Sequence, residues 1–508
     1  MAGGMKALAK ETAIYGVSSI IGKFLNWLLT PFWSYVLLHT SQMGIIGNLY
    51  SWTALTIVVL TYGMETGLFR FANKEGADSM RVYSTTLISI ASTTLLFVVL
   101  AILFLRPITS VFGDADILPR YVFLLILILT LDTLSAIPFA FLRYQNRPVR
   151  FALIQILNVV ITILCNLFFF VACPKLALHF PETFSWFDLD RAVDYILLSN
   201  LVASALRLLM LTPQLRVKYL FDGALLKKML LYSLPLLILG VAGIMNQNLD
   251  KMLYPHLSTE IDKMGQLGIY SASFKIAVIM VMFTQAFRYA FEPFIFARNK
   301  ETGDGDKTAY AEATKYFIIF GLFIFLAVMA YLDILKFLLE TRYHEGLKIV
   351  PIVMIAELFF GVYFNLSLWY KLTDQTRWGA YLSLMGLTVT LLGNILFVPM
   401  YGYMACAWTA LAANVTMMTV SYFLGHKYYP VHYDLRSAGL FFLFAMLLFA
   451  GMWSSYRYLD AVGLRLLLNT LMVAFYLLVV AKKVLPLQEW PVIGKWAKNH
   501  KRCSKRCL

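Results

Sequence analysis

Apolar runs of about 20 residues recur from one end of the chain to the other, and each is long enough to cross a hydrocarbon core of about 30 Å as a helix. The runs are centred near residues 25, 57, 93, 130, 162, 202, 242, 281, 321, 358, 388, 414, 447 and 474. The linkers between them leave no room for a separate soluble domain, so the pattern predicts an all-α integral membrane protein of about 14 transmembrane helices. The first run, residues 13–38, is too long for a signal-peptide core and no small-residue cleavage site follows it, so it is expected to stay. An even number of spans puts both termini on one side.

The linkers alternate in charge. RFANKEGADSMR, RYQNRPVR, LRVKYLFDGALLKK, ARNKETGDGDKTAYAEATK, HKYYPVHYDLR and the C-terminal tail fall on the side of the N-terminus, with about 28 of the 43 Lys and Arg against about 10 on the other side. The positive-inside rule makes that side, and both termini, cytoplasmic. The opposite linkers, such as HTSQ, PHLSTEIDK and PMYGYM, are short, and the longest, CPKLALHFPETFSWFDLDR, is mildly acidic. Membrane glycosyltransferases and polymerases carry catalytic groups on large loops outside the bilayer. An enzyme is therefore not expected.

Composition changes this picture little: 60% of residues are hydrophobic and 14% charged. The net charge of +15 would suggest nucleic acid in a soluble protein, but Lys482, Lys483, Lys495, Lys498, Lys501, Arg502, Lys505 and Arg506 gather after Ala481. There they suit anionic lipid or anchor the topology, and no nucleic-acid partner is expected. The five cysteines form neither a disulfide framework nor a metal-ligand pattern. GDGDKT, at 303–308, lacks the Gly-Lys pair of a P-loop. No metal and no bound cofactor are expected.

Candidate chemistry lies with polar groups inside the spans, where a charge costs about 2.5–3.5 kcal/mol on insertion scales. Lys23 and Lys275 each lie about 11 residues into an apolar run, which at 1.5 Å per residue is mid-membrane for both. They are the principal candidates, and a structural ion pair is the competing reading for each. NQNLDKMLYP, at 246–255, interrupts the seventh run in its outer third. Helical spacing puts Asn246 with Asp250 on one stripe and Gln247 with Lys251 on another. One stripe is expected to face a wet cavity and the other a neighbouring helix, with nothing to say which. Arg288 and Glu292, one turn apart ahead of Pro293, can neutralise each other or serve as a gate. Asp132, Arg207 and Glu357 stand as single charges in the fourth, sixth and tenth runs. Asp132, Arg288, Glu292 and Glu357 are the candidates for ion coupling or gating.

A shift of about 224 residues lays MGIIGNLYS (43–51) on LGIYSASFK (267–275), and FRFANK falls near FIFARNK. Both copies run toward a basic end, as in transporters built from two parallel repeats.

LLHTSQMGIIGNLYSWTALTIVVLTYGMETGLFRFANKE resembles the first two spans of polysaccharide and O-antigen flippases in the multidrug/oligosaccharidyl-lipid/polysaccharide exporter superfamily. SLPLLILGVAGIMNQNLDKMLYP, GQLGIYSASFKIAVIMVMFTQAFRYAFEPFIF, YHEGLKIVPIVMIAELFFGVYFNLSLWYK and GNILFVPMYGYMACAWTALAANV are similar to their second half, so the likeness covers about residues 10–430. It implies a six-helix bundle over 1–220, a second over 221–430 related by a parallel pseudo-twofold, two further helices within 431–485, and a basic cytoplasmic tail over 486–508. It also implies a cationic cavity between spans one, two, seven and eight, to which Lys23, Asn246, Gln247, Asp250, Lys251 and Lys275 belong. The implied activity is flipping of a polyprenyl-pyrophosphate-linked oligosaccharide across the bacterial inner membrane for surface polysaccharide synthesis, driven by a proton or sodium gradient. The implied partners are the lipid-linked glycan, membrane lipids, a polysaccharide polymerase and glycosyltransferases. The alternative within the superfamily is an ion-coupled multidrug or cation antiporter, which would more naturally expose carboxylates than lysines. A scaffold or enzyme of the same pathway is the third class.

Overall fold

The computed structural model describes residues 21–76, 78–302, 307–373 and 375–483, and among these the regular structure is entirely helical. Among the described residues, thirteen helical segments are long and apolar enough to cross a membrane. Numbered by the predicted order, they are span two (Thr40–Ala72), three (Ser79–Leu103), four (Pro119–Tyr144), five (Pro148–His179), six (Leu189–Met210), seven (Gly223–Leu257) and eight (Lys263–Tyr289). Then come nine (Thr308–Ala330), ten (Thr341–Leu372), eleven (Arg377–Tyr401), twelve (Tyr403–Tyr428), thirteen (Leu435–Tyr458) and fourteen (Val462–Lys483). Residues 21–36, also helical, stand where span one is predicted. The tail after Lys483 lies outside the described residues.

Short-range chemistry sets the ends. Asp78 accepts from the N–H groups of Met80 and Arg81 and so caps span three, while Asp222 caps span seven through Leu225 N at 3.0 Å. Span two breaks at Tyr62 and Gly63, both with positive φ, into Thr40–Thr61 and Met64–Ala72. A Cβ on Gly63 would lie 2.9 Å from the Ser233 carbonyl oxygen, so the break falls where span seven passes close by. Leu95, Leu96, Val99 and Leu103 of span three are all more than half exposed, a surface suited to lipid rather than water.

The chain divides into two compact units. The larger comprises residues up to Tyr289 with Leu338–Tyr429, hence spans one to eight and ten to twelve. In the smaller, span nine packs with spans thirteen and fourteen: Tyr476 O–H donates to Ile319 O at 3.0 Å, and Phe325 packs on Phe449. Asp333, 3% exposed, is held there between Arg465 at 2.5 Å and Lys336 at 2.9 Å. Two cations offset the desolvation of this one carboxylate.

Within the larger unit, spans two and eight cross at paired glycines. A Cβ on Gly44 would drive into the carbonyl of Met264, and one on Gly268 into the carbonyl of Thr40. A shift of 224 residues turns Thr40 into Met264 and Gly44 into Gly268. Equivalent residues that meet reciprocally in this way lie on a twofold axis, and the next turn repeats the pattern, with a Cβ on Gly47 reaching within 2.6 Å of Ser271 Oγ. Only glycine lets the two backbones approach so closely.

Candidate functional site

Just beyond this crossing the two helices diverge around a cavity of about 250 Å³. Span one contributes Asn26, Thr30 and Trp33, and span two contributes Gly47, Tyr50 and Ser51. Span seven adds Asn248 and Lys251, and span eight adds Ser271, Phe274 and Lys275. These are the four spans expected to meet there.

The first-half wall is aromatic and neutral. Trp33 Nε1 donates to Asn166 Oδ1 at 2.7 Å and the Tyr50 hydroxyl accepts from Asn200 Nδ2 at 2.6 Å, so the polar edges of both rings are tied to their own half. The second-half wall is cationic. The Lys251 ammonium lies 4.1 Å from the centre of the Phe274 ring, a contact worth about 0.5–2 kcal/mol. Side chains of the first half hold the lysine backbones: Asn48 Nδ2 donates to Lys251 O at 2.8 Å and Trp27 Nε1 to Lys275 O at 2.6 Å. Asn48 is fully buried.

The polar run of span seven divides along its two stripes. Asn246 accepts from Thr390 Oγ1 of span eleven at 2.7 Å, and Asp250 accepts from the Tyr270 hydroxyl of span eight at 2.5 Å. That stripe faces neighbouring helices, with Asp250 only 6% exposed. The other stripe carries Lys251 into the cavity and leaves Gln247 exposed one turn away. Glu357 of span ten, half-buried, lies within electrostatic reach of Lys251 and Asp250. The cavity lining is thus positive, and the carboxylates sit behind it.

Lys23 is not part of that lining. Its ammonium donates to Gln285 Oε1 at 2.7 Å. Gln285 lies ten residues beyond Lys275 on span eight, about 15 Å toward the basic-loop end. Lys23 itself stands one turn before Trp27, whose indole bonds Lys275 O, and its side chain extends from there toward the basic-loop end rather than into the lining. Asp132 and Arg207, expected as single charges, form an ion pair at 2.5 Å between spans four and six. Glu65 pairs with Arg143, and the Arg70 guanidinium lies 4.1 Å over Tyr232. Arg288 stacks on Phe364 at 4.5 Å, and the Glu292 side chain lies outside the described residues. Among the described residues no group of three or more His, Cys, Asp or Glu is placed to hold a metal.

Residues 8–296 match the family described as "Polysaccharide biosynthesis protein". The chain belongs to that family. It has the fold of the multidrug/oligosaccharidyl-lipid/polysaccharide (MOP) transporters. It superposes on "Lipid II flippase MurJ, inward closed conformation" with a TM-score of 0.72 at 12% identity, covering 92% of this chain and 99% of that one. An inward-facing multidrug resistance MATE transporter of the MOP superfamily follows at 0.64 and 13%, over 80% and 94% of the two chains. The MATE multidrug transporter DinF-BH aligns at 0.59 and 16%, over 82% and 95%. No curated protein sequence matches the chain. The chain is a multi-pass membrane protein with the MOP fold.

Trp27, Asn48, Tyr50, Ser51 and Tyr270 do not stand out in the sequence, because neutral side chains in apolar helices look like core. The repeat carries a usable signal. Gly44, Gly47 and Ser51, with their equivalents Gly268, Ser271 and Lys275, recur every three to four residues, a single stripe on each helix.

Proposed function

We propose that this protein is a transporter that moves a polyprenyl-pyrophosphate-linked oligosaccharide from the cytoplasmic to the outer leaflet of the bacterial inner membrane, for surface polysaccharide synthesis. The observation that carries the reading is the pairing of Lys251 and Lys275 on one wall of the cavity, with Asp250 turned away onto Tyr270. Two ammonium groups suit a pyrophosphate, since charge-assisted contacts are roughly twice as strong as neutral ones. The ring faces of Trp33 and Tyr50, with the amides and hydroxyls of Asn26, Thr30, Ser51 and Asn248, suit sugar faces and sugar hydroxyls.

A cavity of about 250 Å³ is smaller than the roughly 300–1,000 Å³ of sites that enclose drug-sized ligands. An oligosaccharide headgroup needs more room, so the halves must part at one end to admit it. Alternating access about the Gly44–Gly268 crossing supplies that opening. Glu357, beside Lys251 and Asp250, is the residue through which we expect a proton or sodium gradient to act. Glycosyltransferases upstream and a polysaccharide polymerase downstream are the expected partners, and both termini are expected in the cytoplasm.

Asp250 and Glu357 also favour a second reading, antiport of an organic cation, in which the carboxylates bind cargo. Deleting the gene and identifying the lipid that accumulates in the cytoplasmic leaflet separates the two. A lipid-linked oligosaccharide supports flipping. No such intermediate, together with drug sensitivity, supports antiport.

A further inference from the structure

The smaller unit has a groove of about 640 Å³ between spans thirteen and fourteen. On span thirteen Arg436, Leu440 and Phe444 follow at four-residue spacing, and on span fourteen so do Val479 and Lys483. Each helix therefore presents a cation at its terminus and apolar side chains directly beneath. Arg436 is the second residue of span thirteen and Lys483 the last of span fourteen, so the two charges share one depth at the basic-loop end.

We propose that this groove holds an anionic phospholipid, with its phosphate between Arg436 and Lys483 and an acyl chain along Leu440, Phe444 and Val479. Among the described residues neither cation has a hydrogen-bond or ion-pair partner. The acid at the rim, Asp434, is already engaged: it accepts from Lys315 Nζ at 2.7 Å and from Ser437 N at 3.1 Å. These hydrogen bonds hold its carboxyl below the usual carboxylate range. With Asp434 and Lys315 offsetting each other, the rim keeps two positive charges over an apolar floor. Basic pockets between transmembrane helices at the cytoplasmic side bind anionic headgroups in just this arrangement. A phosphate fixed at interface depth suits a resident lipid, whereas a transported headgroup must leave the leaflet.

The test uses the full-length protein in phosphatidylcholine nanodiscs containing a little phosphatidylglycerol with a photoactivatable diazirine on one acyl chain. The label is expected on peptides carrying Leu440, Phe444 and Val479. Arg436→Gln and Lys483→Gln should each lower labelling about fivefold, and the pair roughly thirtyfold, while both exposed positions tolerate the change. Neutralising Lys495, Lys498, Lys501 and Arg502 in the tail should leave groove labelling unchanged. Equal labelling by a phosphatidylcholine probe would overturn the proposal. So would undiminished labelling of the double variant, or loss of labelling on neutralising the tail alone. Stronger displacement by polyprenyl pyrophosphate than by unlabelled phosphatidylglycerol would make the occupant the cargo and overturn the phospholipid assignment.

Discussion

Stretches 43–51 and 267–275 occupy equivalent places about one twofold axis, yet only the second carries charge. Where span eight has Phe274 and Lys275, span two has Tyr50 and Ser51. The same shift sets Lys251 opposite Trp27. Backbone geometry is thus held symmetric by Gly44 and Gly268, while the chemistry is distributed unequally: both halves supply rings, but the ammonium groups of the lining come from the second. A symmetric pivot permits rocking. For the lipid-linked headgroup proposed above, an asymmetric lining predicts one preferred orientation, phosphates toward the second half.

The comparison breaks most severely at the pivot. Gly44→Ala or Gly268→Ala places a methyl group against a backbone carbonyl of the opposite helix, and the spans must separate to relieve it. Transport in proteoliposomes is expected to fall more than about tenfold, the cost of an overpacked contact of about 1–3 kcal/mol. The double substitution should cost less than the sum, because both methyl groups strain one crossing. Gly243→Ala, with nothing within 4 Å of its added Cβ, is the control and should transport normally.

The lining comes next. Lys251→Gln and Lys275→Gln should each lower flipping about tenfold at equal insertion, since hydrogen bonds to charged groups contribute about 1.5–3 kcal/mol. Lys275→Arg should retain more, because the charge is kept. Moving the cation to the other half, with Ser51→Lys in a Lys275→Ser background, sharpens the comparison. Partial recovery means that the two positions address the same space, and no recovery means that orientation, not charge alone, is read.

Lys23→Gln is expected to have a smaller effect, since Lys23 bonds Gln285 away from the cavity. If it abolishes flipping as completely as Lys275→Gln, the headgroup contacts a longer surface than the cavity wall. Asp132→Asn should lower thermal stability by leaving Arg207 without its partner, and Arg207→Gln in the same protein should recover part of the loss. A transport defect in the double variant at restored stability would make the pair functional.

The spans are legible in the sequence because twenty apolar residues cannot be placed otherwise, and the repeat because glycine is required where backbones touch. The two stripes of span seven are legible from helical spacing. Which stripe faces the cavity is not, because that depends on Tyr270 and Thr390, supplied by spans eight and eleven. The pairing of Asp132 with Arg207 is hidden for the same reason: the residues are 75 positions apart and share no local pattern. That the Lys23 ammonium turns to Gln285 is hidden too, because Gln285 lies 262 positions away on another span.

The most direct test of the central claim, that the second-half lysines hold the phosphate-bearing headgroup, is binding of the accumulated lipid-linked oligosaccharide to purified protein with and without Lys251→Gln and Lys275→Gln. The account predicts at least about a tenfold loss of affinity in the double variant and loss of preference for the pyrophosphate form over a neutral polyprenyl glycoside. Unchanged affinity and unchanged preference, in protein that is folded and fully inserted, would contradict it.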